Sequence, residues 1–200
     1  MKIDNELKYN NEILRKLIHL ADSIIPLSLF YITKDHLLFI LLPITILFVV
    51  IDFSRHHIKF ISNIYSFLFD RVTRTIEKKD KNFTGATYYL IGCLITIYFF
   101  NDIYIIITSL LIMSISDSFA AIIGIRYGST KIYNNKSLEG SFAFLLVTIL
   151  LISILIPNLS LFALIFISIS VTLVELFSFH KINDNLTIPI SAAILIQYFS

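Results

Sequence analysis

The sequence has few charged residues and almost no cysteine for a chain of its length. Only 15% of the 200 residues are charged, whereas 56% are hydrophobic, and the mean hydropathy is +0.82. Soluble domains carry about 25% charged residues, so this composition excludes both a soluble globular domain and a disordered chain. The single cysteine, Cys93, excludes an intramolecular disulfide and a cysteine-based zinc site. A net charge of +2 gives no basis for nucleic-acid binding.

Glycine is scarce as well, with five residues in the whole chain. The sequence contains no GxxxxGK segment followed by Ser or Thr, and no two glycines form a GxG pair. These absences exclude the P-loop and the protein-kinase glycine loop as nucleotide sites. Internal repeats and low-complexity linkers are absent too. We therefore expect a single domain over residues 1–200.

Long apolar runs dominate what is present. A helix that crosses a bilayer needs about 20 apolar residues, with a usable range of about 17–25. The sequence therefore predicts an all-α, polytopic integral membrane protein. Its seven expected spans lie at residues 14–33, 37–51, 85–100, 102–125, 140–157, 159–179 and 188–200. The last is short and is alternatively a re-entrant segment. The first run contains His19 and Asp22 and lacks a small-x-small cleavage site, so we expect it to be retained.

Lysine and arginine alternate between the predicted loops. All of them except Lys34 fall in the N-terminal tail, at the start of the first span, or in the second, fourth and sixth loops. The positive-inside rule therefore predicts a cytoplasmic N-terminus, in the inner membrane if the cell is bacterial. Apolar residues at helical spacing between basic ones further predict an amphipathic helix over residues 58–78, on the same membrane face. Its simpler interpretation is an anchor for anionic lipid.

Ionisable residues within the spans are the first candidates for function, because each costs about 2.5–3.5 kcal/mol to insert. They form four groups, all expected towards the cytoplasmic side. The groups are Arg15, Lys16, His19 and Asp22; Ser114, Asp117, Ala121, Gly124 and Gly128; Lys131, Lys136, Ser137, Glu139 and Gly140; and Glu175, Asn183, Asp184 and Asn185.

Each group has a simpler interpretation. The first is alternatively a positive anchor with a local His–Asp pair, and Asp117 is alternatively a carboxylate paired with a lysine for packing. The segment from Gly128 to Ser141 is alternatively a solvated basic turn, although its lysines and the following helix N-terminus favour phosphate binding. Asp184 and Asn185 are alternatively ordinary loop residues.

Taken together, these residues place carboxylates and cations at one membrane face. Oxygen ligands beside lysines suit Mg²⁺ bound to a polyphosphate. A site at the membrane rim lets a soluble nucleotide meet a lipid headgroup. The pattern therefore indicates transfer of a phosphorus group to a lipid.

Several segments, in this order, resemble the CTP-dependent lipid alcohol kinases. That family comprises dolichol kinase, phytol kinase and the CTP-using diacylglycerol kinase, and it is related to phosphatidate cytidylyltransferase. The similar segments are residues 12–19 (ExxRKxxH), 84–92 (TGATYYLIG), 116–128 (SDSxAAxxGxxxG), 136–141 (KSLEGS) and 184–189 (DNLTIP), together with Lys131 and Glu175. One position departs from the family pattern: Asn183 stands where the family often has an acidic residue, which implies weaker Mg²⁺ binding.

The resemblance implies CTP-dependent phosphorylation of a membrane alcohol at the cytoplasmic face, with Mg²⁺ as cofactor. Asp117, Asp184 and Asn185 would hold the metal, with Asp117 also a candidate catalytic residue, and His19 or Glu175 would orient or deprotonate the attacking hydroxyl. Lys131 and Lys136 would bind the CTP phosphates. The further phosphate-binding residues implied are Arg15, Lys16, Gly124, Gly128, Ser137, Glu139 and Gly140.

Two other functions compete with the kinase. A cytidylyltransferase would use the same nucleotide but form a CDP-lipid by attack at the α-phosphorus. A transporter is disfavoured, because an ion path needs charged residues across the whole membrane, whereas here they gather at one face.

Overall fold

The chain is predominantly helical, as the sequence predicts. A computed structural model describes residues 2–69, 83–133, 136–177 and 183–200. The helices are α1 (Lys2–Ala21), α2 (Ile24–Ser28), α3 (Lys34–His57), α4 (Lys59–Phe69), α5 (Gly85–Phe99), α6 (Ile103–Leu111), α7 (Asp117–Tyr127), α8 (Leu138–Leu155), α9 (Leu161–Leu176) and α10 (Asp184–Phe199). A π-helical segment, Ile112–Ser116, joins α6 to α7. Two short antiparallel strands that the sequence did not predict, β1 (Lys131–Tyr133) and β2 (Lys136–Ser137), precede α8.

Three helical stretches are long and apolar enough to cross a membrane: Lys34–His57, Ile103–Tyr127 and Leu138–Leu155. The helices Gly85–Phe99 and Leu161–Leu176 are apolar but shorter. These stretches confirm a membrane protein in its general form, and the count of seven spans stays a prediction. Most helix bounds fall within a few residues of the expected ones, but α3 extends beyond residue 51 to His57.

The first expected span, residues 14–33, is not one continuous helix. α1 ends at Ala21 and the short α2 begins at Ile24. Pro26 lies inside α2, where it has no N–H and its ring would clash with the carbonyl four residues earlier, that of Asp22. The helix is therefore interrupted at Asp22 and Ser23, and α2 begins at the next residue.

The stretch Ile103–Tyr127 is the central element of the bundle, because most of its residues are buried by other helices. Its π-helical segment places Ser114 against the break between α1 and α2, where the Ser114 and Ser23 hydroxyls lie 2.9 Å apart. Such segments occur mostly as single turns, often at functional sites. The π-helical turn ends where Asp117 begins α7.

The helices meet at two ends with different chemistry. At one end, which we call the cleft end, α1, α7, α9 and the starts of α8 and α10 surround a polar cleft. At the opposite end, which we call the far end, the Lys34 amine donates to the carbonyls of Phe100 (2.7 Å) and Tyr98 (3.3 Å) and so caps α5. Hydrogen bonds and packing thus join the helices at both ends.

The predicted amphipathic helix is present in its first part as α4. Phe60, Ile64 and Phe67 are exposed on one side of α4, whereas Tyr65 faces α3 and lies under the Arg55 guanidinium at 4.7 Å. Residues 70–78 of the prediction lie outside the described residues.

Candidate functional site

The polar cleft has a volume of about 340 Å³. Its walls come from α1, α7, the strand pair, α8, α9 and α10, which are far apart in sequence. The residues that the sequence nominated and that line it are Arg15, Lys16, Asp117, Ala121, Gly124, Lys131, Lys136, Ser137, Gly140, Glu175 and Asp184. The fold therefore brings most of the four sequence groups to one place.

A buried ion pair joins α1 to α7 in the cleft. Lys16 donates to the Asp117 carboxylate, and the two residues are only 3% and 5% exposed. Ser118 supports the contact from the next position by donating to the Lys16 carbonyl (3.3 Å). Leaving either charge unpaired at this depth would cost several kcal/mol. The pair therefore fixes α1 against α7.

A second ion pair joins β2 to α9. The Lys136 amine lies 2.6 Å from Oε1 of Glu175 and also donates to the Glu175 carbonyl. The other carboxylate oxygen of Glu175, Oε2, is buried and has no hydrogen-bond partner among the described residues. Because a buried acceptor is costly when it is left unpaired, this oxygen is the atom of the cleft most suited to receive a donor from a ligand.

Of the other candidate residues at the end of α1, one lines the cleft and the others lie outside it. Arg15 lines the cleft and pairs with Glu12, which lines it as well. His19 does not line the cleft; it is buried against the edge of Tyr89, with Nδ1 3.7 Å from the Asp22 carboxylate. The Tyr89 hydroxyl donates to the Asp22 carbonyl (2.8 Å). A direct role of His19 in the reaction stays a prediction.

Glycines bring α7 and α8 close together at the cleft floor. A Cβ at Gly140 would lie 2.8 Å from the Ala120 carbonyl, and one at Gly124 would lie 3.0 Å from the Ser137 hydroxyl. Gly128 sits just outside the cleft, where a Cβ would lie 2.1 Å from the Gly124 carbonyl. The structure therefore gives these three glycines a packing reason that is independent of phosphate binding.

Two backbone N–H groups at the N-terminus of α8 already donate hydrogen bonds within the protein. The Leu138 N–H donates to the Thr130 carbonyl (2.9 Å), and the Gly140 N–H donates to the Ser137 hydroxyl (3.2 Å). The Glu139 carboxylate accepts from Ser129 and from the Thr130 N–H, so it braces the strand pair and does not line the cleft. An anion at this end of α8 would therefore interact with the helix dipole and with the neighbouring lysines, and not with these two N–H groups.

The start of α10 supplies one carboxylate to the cleft. Asp184 lines it, whereas the Asn185 side chain turns away and donates to the Gly85 carbonyl of α5 (2.9 Å). Asn183, where the family pattern often has an acid, is the N-cap of α10 and accepts from the Asn185 N–H (3.0 Å). Asn183 thus serves a local structural need that an aspartate would serve equally well.

The donor set of the cleft fits Mg²⁺. The described residues contain no compact group of three or more His, Cys, Asp or Glu side chains. Mg²⁺ does not require one, because it keeps several waters and is usually held by one or two carboxylates together with substrate phosphates. Asp117, Glu175 and Asp184 all present carboxylates to the cleft, and an unpaired carboxylate oxygen of Glu175 is among them.

Sequence reasoning missed two polar residues that line the cleft. Glu12 and Ser141 belong to the quoted motifs but were given no role. Glu12 lies one helical turn before Lys16, which was a sufficient signal that they share a face. The Ser141 hydroxyl is buried and has no partner among the described residues, which no sequence pattern reveals.

Comparison with known proteins finds relatives of two kinds. The chain is 33% identical over 184 residues to an uncharacterized protein of Rickettsia prowazekii, a match that covers 88% of this chain and 89% of that protein. It is 32% identical over 138 residues to a CTP-dependent diacylglycerol kinase of Saccharomyces cerevisiae, covering 66% of this chain and 46% of the kinase.

A third relative is a dolichol kinase of Schizosaccharomyces pombe, 30% identical over 146 residues, which are 67% of this chain and 28% of the kinase. The chain thus spans less than half the length of either kinase. No family model matches the chain, and no solved structure matches it. The chain therefore belongs to one family with the Rickettsia protein, and the two lipid kinases are its distant homologues.

Proposed function

We propose that the protein is a kinase that transfers the γ-phosphoryl group of CTP to the hydroxyl of a membrane lipid alcohol, such as a polyprenol, a phytol-like alcohol or diacylglycerol. The observation that carries this proposal is the single cleft that unites Lys16, Asp117, Lys136 and Glu175 at one end of an apolar helix bundle. The homology to two lipid kinases supports the same reaction class.

The cations of the cleft suit a triphosphate. Arg15, Lys16, Lys131 and Lys136 all line it. Catalysis of phosphoryl transfer consists mainly of positioning the reactants and stabilising the charge that develops on the phosphate oxygens. Lys16 and Lys136 can exchange their carboxylate partners for phosphate oxygens, which releases Asp117 and Glu175 for other roles.

The freed carboxylates suit a metal and a base. Asp117 and Asp184 would hold Mg²⁺, which neutralises charge on the phosphates when it is bound. The Asn185 amide oxygen is a further proposed ligand, although its amide nitrogen is engaged with α5.

Glu175 is the better placed of the two proposed bases. Its Oε2 is buried, unpaired among the described residues and at the cleft wall, whereas His19 does not line the cleft. The lipid hydroxyl would donate its proton to Glu175 as its oxygen forms a bond to the γ-phosphorus. The bond from that phosphorus to the bridging oxygen then breaks and CDP leaves.

A lipid can approach the cleft from the side. Leu14, Leu17 and Ile18 of α1 are exposed apolar residues next to the cleft-lining Arg15 and Lys16. A membrane alcohol that slides along this face would bring its hydroxyl to the cleft while its tail stays in the bilayer. The distribution of Lys and Arg supports a cytoplasmic position of the cleft end.

The test uses purified protein in lipid nanodiscs with CTP labelled at either the α- or the γ-phosphate. A panel of dolichol, shorter polyprenols, phytol and diacylglycerol is offered, together with phosphatidate, the acceptor that a cytidylyltransferase needs, and with labelled ATP as the nucleotide control. We expect γ-label, and no α-label, in the lipid fraction. The α-label in the lipid with the γ-label in pyrophosphate would instead make the protein a cytidylyltransferase, and no transfer to any alcohol would contradict the proposal.

A further inference from the structure

A second buried polar cluster lies outside the cleft, between the end of α3 and the start of α5. Asp52 is 1% exposed, and its Oδ2 accepts hydrogen bonds from the Thr84 N–H (2.7 Å), the Thr84 hydroxyl (2.9 Å) and the Thr87 hydroxyl (2.6 Å). Its Oδ1 lies 3.0 Å from Nε of Arg55, which is buried as well. The predicted second span ended at residue 51, one position before this carboxylate.

This cluster fixes the first turn of α5. Thr84 is the N-cap of α5, and its hydroxyl also accepts from the Thr87 N–H (3.4 Å). Three donors from that turn therefore converge on one oxygen of Asp52. The negative charge also stands at the positive end of the α5 dipole, which stabilises the helix start further.

The same end of α5 supports α10 beside the cleft. The Gly85 carbonyl accepts the hydrogen bond from the Asn185 amide (2.9 Å), and Asn185 is 5% exposed. Two turns further along α5, a Cβ at Gly92 would lie 2.6 Å from the Asn185 carbonyl oxygen. Pro189 in α10 lacks the N–H that would otherwise bond this carbonyl within the helix, and the backbone of α5 at Gly92 packs close to the same carbonyl.

These contacts form a continuous path to the cleft. Asp52 holds Thr84 and Thr87, the adjoining Gly85 holds Asn185, and Asn185 is the neighbour of Asp184, whose side chain lines the cleft. The hydrogen-bond and ion-pair partners of Asp52 are Thr84, Thr87 and Arg55, and none of these three lines the cleft. The path from Asp52 to the cleft that these contacts support runs through α5 and α10.

We propose that Asp52 is a positioning residue that holds the Asp184 end of the cleft in place through the first turns of α5 and α10. The proposal rests on the proposed function only for the role of Asp184 in catalysis. The mechanical link from Asp52 to Asp184 is independent of any substrate.

The test measures backbone hydrogen exchange of the full chain in nanodiscs, without nucleotide or lipid substrate. Thr87→Val removes one donor to Asp52 at nearly constant volume, and Thr87→Ser keeps that donor. We expect Thr87→Val to speed exchange of the Asn185, Leu186 and Thr187 amides about tenfold, the effect of losing one charge-assisted hydrogen bond. Thr87→Ser should restore exchange to within about twofold of the wild type.

Thr45→Val is the matched control. Thr45 lies on α3 like Asp52 and is buried, but its hydroxyl donates to the Leu41 carbonyl within the same helix (2.8 Å). This variant should leave exchange at the start of α10 unchanged. Asp52→Asn, where it folds, should reproduce the Thr87→Val pattern more strongly.

Two results would overturn the proposal. One is faster exchange at the start of α5 with no change at residues 185–187, which would break the path. The other is an equal acceleration in α8, which would mean general destabilisation. A kinetic arm tests the consequence: Thr87→Val should lower kcat about fivefold and leave the KM for CTP within about twofold. An inactive wild-type protein would contradict the proposed function, but the exchange result would still decide whether Asp52 is linked to Asp184.

Discussion

Lys16 and Asp117 are both buried although each carries a full charge. Such a pair seldom exists for stability alone, because well-packed apolar side chains of similar size are often equally stable or more so. Its position in a cleft that also holds Lys136 and Glu175 gives it a second purpose. Both pairs keep charged groups ready at a depth where unpaired charges would be too costly.

Stability and activity should separate at this first pair. Lys16→Met or Asp117→Leu alone leaves one buried charge unpaired and should cost about 3–5 kcal/mol of unfolding free energy. The double variant removes both charges and should recover most of that loss, yet all three variants should lack phosphoryl transfer. Thermal unfolding in detergent and the labelled-CTP assay supply the two measurements. Simply additive losses of stability in the double variant would show that the two residues do not act as a pair.

Lys136 should matter for transfer far more than a lysine at the far end. Lys136→Ala removes a cation from the cleft and should lower kcat/KM for CTP at least about a hundredfold, in line with the loss of a charge-stabilising group. Lys34→Ala is the control: it removes the cap on α5 at the far end and should reduce stability while transfer is retained. Activity of Lys136→Ala within about threefold of the wild type would remove this lysine from the phosphate site.

The close contact between helices α7 and α8 sets the width of the cleft. Ala120, Gly124 and Gly140 bring the two helices together, and the N-cap Ser137 closes the turn before α8. Small residues allow this approach of two membrane helices. The same contact places Ser137 and Gly140 at the cleft wall.

Gly140→Ala tests that close approach, because the change in stability that we expect has the opposite sign to the change that helix propensity alone predicts. Replacing a helical glycine by alanine normally stabilises a helix by about 1 kcal/mol. Here the added Cβ would lie 2.8 Å from the backbone carbonyl of Ala120, so we expect a loss of about 1–3 kcal/mol from overpacking. Ser153→Ala, at an exposed site of α8, should change the unfolding temperature little. A Gly140→Ala protein as stable as the wild type would show that α8 can shift without cost.

The helical elements were largely predictable because apolar run length is a strong signal in a membrane protein. The bounds of α5, α8 and α9 fall close to the expected spans. The break before α2 was missed, although Pro26 carried a local signal for it. The strand pair before α8 was missed too, because its strands are only three and two residues long and carry no alternating pattern that a sequence could show.

The sequence predicted most of the residues that form the site, but it predicted less well how their side chains are arranged. Charges are scarce in the spans, so Asp117 and Glu175 stood out, and the structure places both in one cleft. The sequence did not show which way a polar side chain turns. Asn185 faces α5 instead of the cleft, Glu139 faces the strand pair, and Asp52 forms a cluster of its own. These directions depend on tertiary contacts that a single sequence does not contain.

The two ends of the whole molecule differ in the chemistry that they offer a membrane. The cleft end gathers cations and carboxylates, and α4 lies at the same end because Arg55 joins it to Asp52. The far end carries the Lys34 cap on α5 and the turn that includes Asn158, which lines a second pocket there. If the cleft end faces the cytoplasm, a soluble nucleotide reaches the cleft directly, and the positive-inside rule favours that orientation.

Cysteine labelling in intact cells tests this orientation. Thr130 is exposed at the cleft end and Asn158 is exposed at the far end, while the native Cys93 is buried and can be replaced by alanine in the background protein. A membrane-impermeant maleimide should label Asn158→Cys in intact cells and Thr130→Cys only after the membrane is opened. The opposite pattern would place the cleft outside the cytoplasm, away from CTP, and would contradict the proposed kinase together with its topology. Labelling of both positions in intact cells would mean that the bundle between the two ends does not span the membrane.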